Sequence, residues 1–76
     1  MEKQLLEFIA DEFVIDPDLG LNADTKLFST GVIDSFSLVS LQLFIEREFG
    51  KRIPAPLITP ASFDTVRLMM EVIDRF

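Results

Sequence analysis

The stretch that decides the fold is residues 34–50, DSFSLVSLQLFIEREFG. Its main apolar residues recur at spacings of three and four, and so share one helix face: Leu38, Leu41, Ile45 and Phe49. Asp34 is a favoured N-cap, because its carboxylate can accept a bond from an unpaired backbone N–H and suits the helix dipole. Gly50 can adopt the left-handed conformation that ends a helix. The stretch therefore predicts an amphipathic helix that begins at Asp34 and presents Ser35 in its first turn.

The segments before this helix predict a second helix and a long ordered loop. A first helix is expected over residues 2–15, with one apolar face: Leu5, Leu6, Ile9 and Phe13. Asp16-Pro17 ends it, because the residue before proline is pushed out of the α region. Residues 16–34 form a connection that apolar side chains should pin across the bundle: Leu19, Leu21, Leu27, Phe28, Val32 and Ile33.

The C-terminal part predicts one short helical turn and one longer helix. Thr59-Pro60 is a favoured helix start and predicts a short turn over residues 60–63. Asp64 or Thr65 should cap the last helix, whose apolar face contains Val66, Met69, Met70 and Ile73. No segment predicts a strand. The predicted fold is an all-α four-helix bundle over residues 1–76, with three main helices, one short helix and a single domain.

Composition and charge exclude several classes of function. The chain has no Cys and no His, which excludes disulfides and thiolate or imidazole metal sites. The net charge is −6, and all of the excess acidity lies before Ser35, which disfavours nucleic acid and anionic membrane surfaces as partners. The charged start lacks the apolar segment of a signal peptide, and no apolar run is long enough to span a membrane. We expect a cytoplasmic monomer.

Ser35 is the candidate functional residue because a helix start exposes its hydroxyl. A serine nucleophile needs an adjacent base, and the chain offers no His, so modification of Ser35 is favoured over catalysis by it. Two alternatives from other classes stay open at this point. One is a small helical adaptor in which Ser35 is unmodified, and the other is a small serine hydrolase.

The motif Gly31-Val32-Ile33-Asp34-Ser35 resembles the attachment motif of acyl and peptidyl carrier proteins. The flanking segments are similar too, over nearly the whole chain: Leu27-Phe28, Glu46-Arg47-Glu48-Phe49-Gly50, Ile53-Pro54 and Phe63-Asp64-Thr65-Val66. The resemblance implies that the hydroxyl of Ser35 takes a 4′-phosphopantetheine arm from coenzyme A. It also implies that Asp34 assists the modifying transferase, through a metal ion, in addition to capping the helix.

The resemblance further implies a non-catalytic, stand-alone carrier of acyl or aminoacyl thioesters that acts with enzymes in trans. Those partners are a phosphopantetheinyl transferase, a loading ligase or acyltransferase, and a downstream synthase or transferase. The eight Phe should fill the core and leave little room for a long chain, which favours a short acyl or aminoacyl cargo in specialised-metabolite biosynthesis. A carrier for fatty-acid synthesis is the alternative within this class.

The outer face of the helix after Ser35 is the predicted surface for partner enzymes. It consists of Phe36, Val39, Ser40, Leu43, Glu46 and Arg47. By resemblance, fatty-acid carriers have a strongly acidic face here, whereas this chain places Ser40, Leu43 and Arg47 there. The apolar members predict a contact like that of amino-acid or specialised-metabolite carriers.

Overall fold

The computed structural model describes residues 1–13 and 17–76, and in these residues it contains helices and no strand. The three α-helices are α1 (Glu2–Glu12), α2 (Leu38–Phe49) and α3 (Val66–Ile73). Three single 3₁₀ turns lie between them, at Pro17–Leu19, Ser35–Ser37 and Ala55–Leu57. The predicted all-α fold class is confirmed.

Two helix boundaries differ from the prediction. α1 ends at Glu12 with Phe13 as its C-cap, and the predicted continuation to residues 14 and 15 lies outside the described residues. α2 begins at Leu38 instead of Asp34, because a 3₁₀ turn precedes it. In that turn the Ser37 N–H donates to the Asp34 carbonyl at 3.1 Å, and the Leu38 N–H donates to the Ser35 carbonyl. Such i to i+3 bonds commonly tighten the first turn of a helix.

The short fourth helix predicted over residues 60–63 is a single turn. The Phe63 N–H donates to the Thr59 carbonyl at 3.0 Å, and the Ser62 N–H donates to the Thr59 hydroxyl at 3.1 Å. The turn does not continue, because Thr65 is extended, with φ −131° and ψ 158°. Thr65 is instead the N-cap of α3, since its hydroxyl accepts a bond from the Leu68 N–H at 3.1 Å.

The buried core is mainly aliphatic. Phe63 is the one phenylalanine among the fully buried side chains, which otherwise are Leu5, Ile9, Leu27, Leu41, Ile45, Ile53, Val66, Met69 and Ile73. Five phenylalanines pack against the core while partly exposed, and Phe36 and Phe76 are exposed. The prediction that the eight rings fill the core was wrong, because branched aliphatic residues occupy the inward stripes and most rings flank them. The packing therefore gives no support to a short cargo.

The long loop is anchored by fewer residues than predicted. Leu27 and Ile33 are buried, Leu21 and Phe28 are partly buried against the core, and Ala23 is buried as well. Leu19 and Val32 are exposed, so the prediction that they pin the loop was wrong. The polar contacts described below replace the anchoring that these two side chains do not supply.

Candidate functional site

Ser35 is exposed at the first residue of the turn that leads into α2. In the described part of the chain, its hydroxyl makes no intramolecular hydrogen bond. The backbone N–H groups of Ser35 and Phe36 precede the first bond of the turn, which Ser37 donates. The site therefore offers a free hydroxyl beside N–H groups at the positive end of a helix, a setting that suits an attached phosphate.

Asp34 sets the backbone that presents Ser35. Its φ of −93° and ψ of 166° are those of an N-cap, and its carbonyl accepts the first bond of the turn. The sequence predicted that its carboxylate accepts a backbone N–H, and this prediction was wrong. It accepts the Ser37 hydroxyl instead, at 3.3 Å. This contact leaves the exposed carboxylate largely available to solvent beside Ser35.

A glycine turn lies immediately before the Asp34-Ser35 pair. Gly31 has a φ of +78°, a conformation that other residues rarely adopt, and its N–H donates to the Phe28 carbonyl at 3.1 Å. The chain then folds back, so that the Ile33 N–H donates to the Leu27 carbonyl at 3.0 Å. The buried Leu27 and Ile33 thus hold both ends of the turn from which Ser35 emerges.

Asp64 fastens this turn to the start of α3. Its Oδ1 accepts the N–H groups of Leu27, Phe28 and Ser29 at 3.1, 2.7 and 3.0 Å, and its Oδ2 accepts the Ser29 hydroxyl at 2.8 Å. Its carbonyl also accepts the Leu27 N–H at 2.8 Å. The bonds from Ser29, with those from Phe28 and Leu27, hold the pKa of the Asp64 carboxyl below its ordinary value, against the opposite effect of burial.

A second contact joins the loop to α3. The Asp24 carboxylate accepts two bonds from the Arg67 guanidinium, at 2.6 and 3.1 Å. The backbone N–H of Arg67 donates to the Ala23 carbonyl at 3.0 Å. The hydrogen bond from Arg67 lowers the pKa of the Asp24 carboxyl. Both charged groups are exposed, so this pair fixes geometry more than it adds stability.

The predicted partner surface divides into an exposed apolar part and a more engaged polar part. Phe36 is 87% exposed, Val39 is 61% exposed and Leu43 is 52% exposed. Arg47 is exposed and Ser40 is half-buried. Glu46 is half-buried, and its carboxylate accepts the Arg52 guanidinium at 3.1 Å. Three apolar side chains, next to Ser35 and along α2, are therefore exposed on this surface.

The sequence did not reveal the roles of Asp64 and Asp24 in holding the loop. The sequence predicts Asp64 only as a possible cap of the last helix. Its position directly before the N-cap Thr65 is the one local sign that its carboxylate has a structural role. Its contacts span 35 to 37 positions along the chain, a separation at which local patterns carry no information. No helix in the described residues is long and apolar enough to cross a membrane.

Comparison with known proteins supplies independent information on this site. The family described as "Phosphopantetheine attachment site" matches residues 3–73. A protein of Serratia sp. (strain ATCC 39006) named "Probable acyl carrier protein PigG" is 32% identical over 75 residues, covering 99% of this chain and 86% of that protein. The "D-alanyl carrier protein" of Lacticaseibacillus casei (strain BL23) is 34% identical over 61 residues, covering 80% of this chain and 74% of that protein.

Proposed function

The chain belongs to the phosphopantetheine-attachment family of carrier proteins, and from this premise we propose that Ser35 is the residue that bears the arm. The observation that supports this assignment is the exposed hydroxyl of Ser35, without an intramolecular partner in the described residues, at the opening turn of α2. Ser37 is a weaker candidate, because its hydroxyl donates to Asp34 and it is half-buried. We take residues 1–76 as one carrier domain.

The modification joins two reactants whose atoms balance without an oxidant or reductant. Ser35 Oγ forms a bond to the phosphorus next to the pantetheine group of coenzyme A. The phosphoanhydride bond of coenzyme A breaks, and adenosine 3′,5′-bisphosphate leaves. The chain has no His, and in the described residues no side chain forms a hydrogen bond with the Ser35 hydroxyl. The Ser35 proton therefore passes to a base of the transferase. The Asp34 carboxylate would be a ligand of a metal ion that the transferase holds.

When bound, the arm supplies the terminal thiol on which acyl or aminoacyl groups are carried as thioesters, a function for which this chain has no cysteine of its own. This chain presents the attachment residue and the surface that partner enzymes contact. We infer that it catalyses no reaction itself, because Ser35 has no base to activate it. We also place it in the cytoplasm, together with a transferase, a loading enzyme and an enzyme that consumes the cargo.

The cargo class follows from the relatives and from the surface of α2. One relative is named as a probable acyl carrier and the other as a D-alanyl carrier, so we propose an acyl or aminoacyl group, and the second name favours a short one. The exposed apolar residues Phe36, Val39 and Leu43 support contact with enzymes of that type. A strongly acidic α2 face would have favoured a fatty-acid carrier, and α2 places Arg47 there instead.

Mass spectrometry of the intact protein tests the attachment residue. The purified chain is incubated with coenzyme A and a phosphopantetheinyl transferase of broad specificity. We expect one phosphopantetheine per chain, none on Ser35→Ala, and full modification of the matched control Ser37→Ala. An unchanged mass of the native chain would contradict the proposal and favour the unmodified adaptor. Labelling of Ser35 by a fluorophosphonate would favour the hydrolase instead.

The apolar surface is tested with the same reaction. Phe36→Ala should leave the folded structure unchanged, because the ring is 87% exposed, but should lower kcat/KM for the transferase by about tenfold, as expected for an aromatic contact residue. Phe76→Ala removes a ring that is 47% exposed, away from Ser35 in the sequence, and serves as the control. Equal rates for the two variants would remove Phe36 from the proposed contact surface.

A further inference from the structure

A row of four aromatic rings runs along the junction of α1 and α2. Phe8 and Phe44 are stacked, with ring centroids 4.1 Å apart and planes at 17°. Phe13 packs edge-on against Phe8 at 6.1 Å, and Phe49 packs edge-on against Phe44 at 5.8 Å. All four rings are half-buried and lie against the core without entering it. They form an apolar strip that remains partly open to solvent.

The central pair of this strip lines two open grooves. One has a volume of about 340 Å³, and the other has a volume of about 280 Å³. Phe8 and Phe44 line both grooves, together with Glu12 and Glu48. The second groove adds two further acids, Glu7 and Asp11. We refer to the Phe8–Phe44 pair and these four carboxylates as the aromatic groove.

The charges around the aromatic groove are unbalanced, because four carboxylates and one cation, Arg47, line its two parts. Within the described residues, none of its four carboxylates forms an ion pair, and all four residues are exposed. In the described residues two other acids do form ion pairs, Glu46 with Arg52 and Asp24 with Arg67. The half-buried rings offer apolar contact, and the carboxylates without an ion pair attract a cation by charge. The groove thus suits a ligand with apolar and cationic side chains side by side.

We propose that the aromatic groove binds a basic amphipathic segment, bearing Lys or Arg beside apolar residues, of an enzyme that acts on the carrier. The first groove is also lined by Ser40, Leu43 and Arg47, which belong to the predicted partner surface of α2. One enzyme can therefore cover both surfaces without a gap. The inference rests on the proposed carrier function for the identity of the partner, and on the groove itself for its chemistry.

A second copy of this chain is disfavoured as the occupant by the same charges. A two-fold contact would place the four carboxylates of one copy against the same four of the other. Like charges facing each other across an interface oppose association. The Phe8–Phe44 pair would gain apolar contact in such a dimer, but the four carboxylates of each copy would meet only one cation, Arg47, of the other. A basic partner satisfies both parts of the groove.

Titration with a defined probe tests this proposal. ¹⁵N-labelled protein, in its unmodified and its phosphopantetheine-bearing form, is titrated with a 15-residue amphipathic helical peptide of Leu and Lys while amide shifts are recorded. We expect the shifts to concentrate around Phe8, Phe44 and Glu48. We also expect binding to weaken steeply with added salt, because exposed charges are screened. Shifts confined to the Phe36 side of α2, or spread evenly over the acidic residues, would overturn the proposal.

Matched variants separate the groove from general acidity. Glu12→Gln/Glu48→Gln removes two rim charges, and Glu71→Gln/Asp74→Asn removes two exposed charges on and just after α3. The first pair should weaken peptide binding roughly two- to tenfold, and the second pair should change it less than twofold. Equal weakening by both pairs would overturn the proposal. A dimer of the free protein in analytical ultracentrifugation would also overturn it, if Glu12→Gln/Glu48→Gln shifted that dimer to monomer. Peptide binding does not need the arm, so failure of Ser35 modification would be seen separately.

Discussion

Replacement of Asp64 by alanine removes the carboxylate that holds the loop before Ser35. Four hydrogen bonds end on that carboxylate, from the N–H groups of Leu27, Phe28 and Ser29 and from the Ser29 hydroxyl. The Leu27 N–H keeps a partner in the variant, because it also donates to the Asp64 carbonyl at 2.8 Å. The loss therefore falls on Phe28 and Ser29.

The magnitude follows from how accessible those groups are to water. The Phe28 N–H is partly buried, and losing its bond to a charged acceptor costs about 1.5 kcal/mol. The N–H and hydroxyl of Ser29 are exposed, so water replaces their partner and the two together cost about 0.5 kcal/mol. The total of about 2 kcal/mol lowers Tm by roughly 8–16 °C in a domain of this size. A domain of this length has about 4–11 kcal/mol of stability, so the variant still folds at 20 °C.

Thermal unfolding followed by circular dichroism measures this effect, and hydrogen exchange locates it. Exchange of the Phe28 and Ser29 amides should accelerate more than that of the amides in α2. Asp64→Asn keeps an acceptor oxygen without the charge and should lose about half as much stability. Glu71→Ala, at an exposed position of α3, should change the free energy of unfolding by less than about 0.5 kcal/mol. A Tm for Asp64→Ala equal to that of Glu71→Ala would refute the assignment of Asp64 as the anchor of the loop.

Three further predictions concern the stability of the protein in acid, the C-terminal end of α2 and the N-terminal end of α3. Because the pKa of Asp64 is lower in the folded protein than in the unfolded chain, its stabilisation is present at neutral pH and lost as the pH falls through the folded value. The difference in urea midpoint between the native chain and Asp64→Asn should be constant above about pH 5 and shrink towards pH 3, and a constant difference down to pH 3 would contradict this sign. Gly50→Ala should lower the free energy of unfolding by about 1 kcal/mol, because Gly50 has a φ of +64° that alanine rarely adopts, although no atom lies within 4 Å of an added Cβ. Gly50→Asn should cost less in the same urea assay, because asparagine adopts this conformation more readily. Thr65→Ala should cost about 1 kcal/mol through loss of the bond to the Leu68 N–H, whereas Thr65→Ser should retain it, and equal unfolding midpoints for both variants would exclude this cap.

Local sequence patterns predicted the parts of the fold that local interactions determine. The stripe of Leu38, Leu41 and Ile45 is buried as its spacing indicated, and Gly50 ends α2 in the left-handed conformation. The same reasoning placed the start of α2 at Asp34. It missed the 3₁₀ turn because both geometries satisfy the same N-cap pattern and differ only in which carbonyl accepts each N–H.

The remaining features depend on contacts between distant segments. Phe44 lies off the apolar stripe of α2, and only the approach of α1 places its ring against that of Phe8. The Ser35 motif could be recognised from its residues and flanks. The polar anchors of its loop could not, because any exposed acid in the chain could have met three free N–H groups of the loop.

The contacts of the loop imply that the position of Ser35 depends on the first turn of α3 as well as on α2. Arg67 of α3 holds Asp24 and the Ala23 carbonyl, while Asp64, two residues before α3 begins, holds the backbone of Leu27 and its neighbours. Both anchors therefore lie within a few residues of one helix end. Ile33, two residues before Ser35, connects the anchored loop to the site, because its N–H donates to the Leu27 carbonyl. Opening of the first turn of α3 would release both anchors together, so the loop and that turn should exchange their amide hydrogens as one unit.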